Sequence, residues 1–230
     1  QEDFLKAFTD IKDRGNLPVL CGGTGMYIES VLKGYKLVKV PPDEQLRERL
    51  EQKNTEELIA MLASYKKLHN VSDTGSRKRL IRAIEIEMYS EKKKVNREFP
   101  KIDYLIFGIK FDRQQIKKRI SERLEARLKE GMIEEAKLLI NEGLSKEQLM
   151  YYGLEYKYLA LYLAGELSYD EMFRKLEIAI HQFSKRQMTW FRKMERQGFK
   201  ICWIDGYLPM KEKLRYAENV IKNYEEAQKG

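Results

Sequence analysis

Three short apolar runs in the chain are continuous rather than alternating: Leu17-Pro-Val-Leu-Cys21, Tyr104-Leu-Ile-Phe-Gly-Ile109 and Lys200-Ile-Cys-Trp-Ile204. A strand covered on both faces needs apolar side chains at successive positions, so this pattern predicts strands of a buried parallel sheet. Elsewhere apolar residues recur every three or four positions, over 2–14, 44–64, 77–90, 113–141, 155–164 and 169–197. That period is the helical one. Few strands among many helices predict an α/β fold that is helix-rich overall. A doubly wound nucleotide-binding domain starts with its phosphate-binding strand, whereas this chain opens in a helical pattern; residues upstream of Gln1 are therefore expected.

Proline marks two places where the pattern changes, Val40-Pro-Pro-Asp43 and Phe99-Pro-Lys101. Proline cannot continue a helix and biases its predecessor towards extended backbone, which suits segments leaving and re-entering a sheet. The stretch between them is polar and helical. The expected organisation is a core from 1–40 and 101–230, with its long helices in the latter part, interrupted by a helical insertion at 41–100. No internal repeat is present, and the densest local bias is the basic run Lys92-Lys-Lys94.

Composition narrows the function classes. With 230 residues, 43% hydrophobic and 35% charged, the chain is long enough for a buried core and too apolar to be disordered. It has no bilayer-length apolar run and no signal-peptide pattern, so a soluble protein with no membrane span is expected. Forty-four Lys and Arg against 36 Asp and Glu leave a net charge of +8, which favours an anionic partner: nucleic acid, a phosphorylated metabolite or a membrane surface. Cys21 and Cys202 sit in apolar stretches without metal-like spacing, which predicts buried free thiols and a reducing, cytoplasmic setting. Two distant histidines, His69 and His181, argue against a zinc site or a Ser/His/Asp hydrolase.

Four segments have the residues for chemistry. Gly22-Gly-Thr-Gly25 lies between a predicted strand and a helix over 26–33. Glycines there let backbone approach a ligand, and the helix N-terminus offers N–H groups to an anion; a plain tight turn has the same sequence. The loop is no Walker A motif, since no GK[ST] ending occurs. After the second strand, Asp112 and Gln115 have capping-box spacing, and Arg119, Arg123 and Arg127 share one helix face. Their guanidinium forks suit phosphate oxygens, although a solvated face bridged to Glu122, Glu125 and Glu130 has the same pattern. In Lys185-Arg-Gln-Met-Thr-Trp-Phe-Arg-Lys193, basic groups alternate with aromatic rings, suiting phosphate neutralisation and base stacking. There Met188 and Phe191 are expected to face the core, leaving Lys185, Arg186, Thr189, Arg192 and Lys193 for a ligand. Finally, Arg77-Lys-Arg79 and Arg82 crowd positive charge at a helix start, against the macrodipole, which a polyanion would relieve.

Taken together, these segments resemble the tRNA dimethylallyltransferase (tRNA isopentenyltransferase) family. The matching pieces occur in the family's order: Leu17-Pro-Val-Leu-Cys-Gly-Gly-Thr-Gly-Met-Tyr27, Arg79-Leu-Ile-Arg-Ala-Ile-Glu85, and Asp112-Arg113 with Arg119-Ile120 and Arg123. Gly131-Met-Ile-Glu-Glu135, Tyr156-Lys157, Gly165-Glu-Leu-Ser168 and Lys185-Arg-Gln-Met-Thr-Trp190 follow. The resemblance implies a P-loop-kinase-like core with a helical insertion that clasps a tRNA anticodon stem-loop. It implies transfer of a dimethylallyl group from dimethylallyl diphosphate to N6 of the adenine at tRNA position 37, with Mg²⁺, by a monomer. By the same resemblance, Thr24 lies at the reaction channel, and Arg123, Arg119, Gly22 and Gly23 bind the diphosphate. Thr24 as well as Arg47, Lys78, Arg79, Arg82, Tyr156, Lys157, Lys185, Arg186, Gln187, Thr189, Trp190 and Arg192 contact tRNA, while no residue of the chain is assigned to the metal.

Two departures accompany the resemblance. Relatives carry a P-loop strand and an aspartate general base ahead of the region matched here, so these 230 residues alone are expected not to catalyse transfer. Glu155 stands where relatives usually have glycine. A non-catalytic RNA-binding module and a prenyltransferase acting on free adenine nucleotides remain as alternatives.

Overall fold

The computed structural model describes residues 1–35, 37–66, 68, 75–92 and 99–229, without the side chains of residues 92, 228 and 229; most of the Lys92–Lys94 run lies outside this set. The chain divides into two compact units, Gln1–Glu29 with Asp103–Gly230, and Ser30–Ile102. The expected insertion at 41–100 falls inside the second unit, which also takes in residues 30–40.

In the first unit, β1 (Ile106–Lys110) and β2 (Ile201–Asp205) pair in parallel, Ile106 opposite Ile201 through Lys110 opposite Asp205. Gly108 faces Trp203 across the ladder because a side chain there would meet the indole ring. The expected strand at 17–21 is not formed. Leu17, Val19 and Leu20 are 72%, 79% and 52% exposed, and Cys21, expected to be buried, is exposed too. Apolar side chains supply a strand's faces, but its backbone needs a neighbouring ladder. Among the described residues β1 and β2 pair with each other and not with this run, in which Pro18 also lacks a donor.

The helices of this unit begin with α1 (Glu2–Asp13) and the start of α2 (Gly25–Leu32). The long periodic stretch at 113–141 is two helices, α6 (Arg113–Lys129) and α7 (Met132–Asn141), because Gly131 between them adopts φ +100°, a conformation only glycine takes without strain. Three more follow: α8 (Lys146–Tyr151), α9 (Leu154–Leu163) and α10 (Tyr169–Arg196). Leu124, Leu128, Met132, Ala136, Leu149, Leu159, Met172 and Leu176 form their shared core. Ser168 caps α10 in a box with Glu171. After β2 comes α11 (Met210–Lys229), which the apolar pattern had not marked, as it had not marked α8.

The second unit packs α3 (Glu44–Glu51), α4 (Thr55–Tyr65) and α5 (Arg77–Lys92) around Leu46, Leu50, Leu58, Leu62, Leu80 and Ile84. The helical period over 44–64 is broken at Asn54, whose side chain and that of Glu57 form a reciprocal capping box that starts α4.

Candidate functional site

The glycine turn 22–25 leads into α2, whose first helical bonds are taken by the Thr24 carbonyl from Tyr27 and Ile28 at 2.9 and 3.2 Å. Thr24 itself is exposed, as is Gly22. The turn rests on α10. Gln187 donates its side-chain amide to the Gly23 carbonyl at 2.9 Å, and a Cβ on Gly25 would lie 2.8 Å from Trp190 Cγ, so only glycine admits the indole at that distance. One turn further, Lys193 Nζ reaches both oxygens of Glu29 at 3.3 and 3.2 Å, with Glu29 fully buried, and sits 4.2 Å from the centre of the Trp190 ring.

This divides the basic-aromatic segment by face. Gln187, Trp190 and Lys193, three residues apart, look towards the turn. Lys185, Arg186, Thr189 and Arg192 are exposed, with the Thr189 hydroxyl bonded to the Lys185 carbonyl one turn back and Arg186 lying 5.9 Å from the Phe183 ring centre. Lys193, expected to be available to a ligand, is committed to Glu29 instead. A carboxylate left in the interior without a counter-charge would be far costlier than a lysine withdrawn from solvent. Glu29 was missed because a single glutamate on a helix carries no pattern. Met188 and Phe191 are half-buried, with Phe191 edge-on to Trp203.

On α6, Asp112 caps the helix by accepting from the Gln115 amide at 2.9 Å, and it also accepts from the Tyr207 hydroxyl, which holds its carboxyl below the usual aspartate range. The three arginines differ. Arg119 lies 4.7 Å from the Phe111 ring centre, and Arg127 pairs with Glu135 at 3.5 Å. Arg123 is exposed and, among the described residues, makes no ion pair or hydrogen bond through its side chain. The alternative reading of the stripe, bridges to Glu122, Glu125 and Glu130, is not realised for these arginines among the described residues; Glu122 pairs with Lys118. No hydrogen bond or ion pair joins Arg119 or Arg123 to the glycine turn among the described residues.

On α9, Tyr156 donates its hydroxyl to Glu135 at 2.6 Å, and that hydrogen bond raises the phenol's pKa. Lys157 is exposed, 5.6 Å from the Tyr158 ring centre, and Tyr151 at the end of α8 is 91% exposed. Glu155 falls in the first turn of α9, where a negative charge meets the helix's positive end.

In the second unit, buried Glu85 organises the basic residues. It accepts from the Asp43 amide at 2.7 Å and from Arg47 Nε and Nη2 at 3.1 and 3.0 Å, and it pairs with Arg82, which also donates to the Val40 carbonyl at 2.8 Å. Burial alone would push this carboxyl up, but the hydrogen bonds from Arg47, Arg82 and the Asp43 amide outweigh it and hold the pKa at about 2. Arg77 does not await a polyanion; it closes the C-terminal end of α3, bonding the carbonyls of Leu50, Glu51 and Lys53 and the Glu51 carboxylate. Lys78 and Arg79 remain exposed, with no side-chain partner among the described residues.

Residues 1–194 match the protein-family model described as IPP transferase. The chain belongs to the IPP transferase family. It is 55% identical over 225 residues to tRNA dimethylallyltransferase 2 of Bacteroides fragilis, a match covering 97% of this chain and 74% of that protein. It is 58% identical over 209 residues to tRNA dimethylallyltransferase 1 of Azobacteroides pseudotrichonymphae, covering 90% and 68%. Among solved structures, the tRNA isopentenylpyrophosphate transferase of Bacillus halodurans superposes with a TM-score of 0.63 at 27% identity, over 97% of this chain and 71% of that one. This IPP transferase chain thus spans about three quarters of its curated relative in B. fragilis. No described helix is long and apolar enough to cross a membrane.

Proposed function

We propose that this chain acts in tRNA modification, transferring a dimethylallyl group from dimethylallyl diphosphate to N6 of the adenine at position 37, beside the anticodon. The observation that carries the reading is the family match over residues 1–194, together with relatives above 50% identity that are themselves tRNA dimethylallyltransferases. In the reaction the allylic C–O bond breaks, a C–N bond to the adenine forms, the diphosphate leaves, and the N6 proton passes to a base. Negative charge grows on the departing diphosphate, so fixed cations facing it lower the barrier. Arg123, exposed and uncommitted, is suited to that role, with Arg119 beside it on the same helix face. Thr24 and the glycine turn, on the helix N-terminus of α2, lie at the reaction channel. Mg²⁺ would add charge neutralisation on the diphosphate. Among the described residues no three His, Cys, Asp or Glu side chains come together as a metal site.

For tRNA, the first unit offers Lys185, Arg186, Thr189 and Arg192 on α10 and Tyr156 and Lys157 on α9, and the second offers Lys78 and Arg79, with Arg47 and Arg82 held by Glu85. An acceptor competition tests the reading. Given labelled dimethylallyl diphosphate, the full-length gene product is expected to label an anticodon stem-loop and leave AMP unlabelled. Label on AMP would establish the free-nucleotide alternative, and stem-loop binding without label would establish a binding module.

A further inference from the structure

Glu29 belongs to none of the motifs, and Lys193, the last residue of the basic-aromatic segment, is committed to it rather than open to a ligand. Glu29 is fully buried one turn into α2, and its charge is met by Lys193 from α10, with both carboxylate oxygens within 3.3 Å of Nζ. An ion pair in such a place contributes little net stability, because desolvation offsets most of the attraction. What it does enforce is geometry: the two helices can meet only where the ammonium reaches the carboxylate. On the same face of α10, Trp190 packs on Gly25 and Gln187 bonds Gly23, so three side chains at successive turns fasten α2 and the glycine turn to one helix. Lys193 also lies against the Trp190 ring, which ties the ion pair to the indole on Gly25.

We propose that Glu29 and Lys193 are positioning residues for the transfer reaction, fixing the glycine turn and the exposed Thr24 against α10 so that the acceptor adenine meets a preformed channel. The proposal rests on the reading given under Proposed function, in which Thr24 borders that channel. It removes Lys193 from the residues open to a ligand and assigns Gln187 and Trp190 to holding the turn, leaving RNA to the opposite face of α10. A binding energy set in advance in this way appears in the rate of the chemical step rather than in RNA affinity.

The test uses the full-length gene product with Glu29→Gln combined with Lys193→Met, which removes both charges at once and so leaves no buried carboxylate unpaired. Three quantities are measured: amide hydrogen exchange over residues 20–28 and over 124–140, stem-loop affinity, and the transfer rate at saturating stem-loop. Exchange at 20–28 should rise at least tenfold with 124–140 unchanged, and the transfer rate should fall at least tenfold with affinity held within twofold. Lys193→Arg, which keeps the charge, should restore exchange and rate to within threefold of the parent. Unchanged exchange at 20–28, an equal rise in both segments, or an affinity loss matching the rate loss would each overturn the proposal. If the unmodified protein transfers nothing to the stem-loop, the functional reading fails, and the exchange measurement still decides whether the pair holds the turn.

Discussion

At the scale of single residues, Glu85 shows how one buried carboxylate governs several surface cations. Arg47 and Arg82 are read from sequence as tRNA contacts, yet each is first a partner of Glu85, and hydrogen bonding to Glu85 is what raises the Arg47 pKa. Both guanidiniums are thereby already fixed in place. Nothing in Arg79-Leu-Ile-Arg-Ala-Ile-Glu85 reveals this, since a glutamate three residues after an arginine on a helix is an ordinary surface pair. The carboxyl's pKa in the folded protein, about 2, lies below its ordinary 4.5. Its stabilisation is therefore complete above pH 4.5 and disappears as the pH falls through 2, an effect on the order of 3 kcal/mol. Urea unfolding between pH 7 and 2 is expected to show that acid loss in the parent and a flatter profile in Glu85→Gln, which should already be less stable at pH 7. Parallel profiles would mean that Glu85 does not carry the effect.

At the scale of elements, the helical period was legible and the breaks within it were not. The apolar spacing runs evenly across 113–141, and the break depends on the positive φ of Gly131, which a lone glycine in a helical pattern does not announce. The break at Asn54 was more open to view, because Asn54-Thr-Glu-Glu57 is a capping-box sequence. Ser145-Lys-Glu-Gln148 is another, ahead of the unmarked α8. The arginine stripe on α6 has the predicted spacing, but its members have different fates: Arg119 lies against Phe111, Arg127 pairs with Glu135, and Arg123 stays uncommitted. Periodicity says which residues share a face and nothing of what faces them. Arg123→Ala should accordingly slow transfer at least 100-fold, a loss of about 3 kcal/mol in transition-state stabilisation, with stem-loop affinity nearly unchanged. Equal losses in rate and affinity would place Arg123 on the RNA rather than on the diphosphate.

At the scale of the whole molecule, the net charge of +8 is an average over cations with opposite duties. Lys193, Arg77, Arg47 and Arg82 are held by the protein's own carboxylates and carbonyls, whereas Lys185, Arg186 and Arg192 are exposed. Only cations that displace counterions from phosphate add to the salt dependence of RNA binding. Replacing Lys185 and Arg186 together by alanine should weaken stem-loop binding and reduce the slope of log K against log salt by roughly 1.5, at about 0.7–0.9 per phosphate contact. An unchanged slope would take both residues out of the interface.

What the sequence determined by itself was local and periodic: most of the helices, the two paired strands, the cap at Asp112, and a set of motifs whose order identifies the family. Tertiary structure decided which of those residues are spoken for. Leu17–Cys21 has a strand's composition without a strand's hydrogen bonds, and Lys193 has the sequence context of an RNA contact while neutralising a buried glutamate 164 positions away. The reason is physical: propensity and amphipathicity act over a few residues, whereas a backbone ladder or a buried charge is satisfied only by a partner that folding brings from elsewhere in the chain.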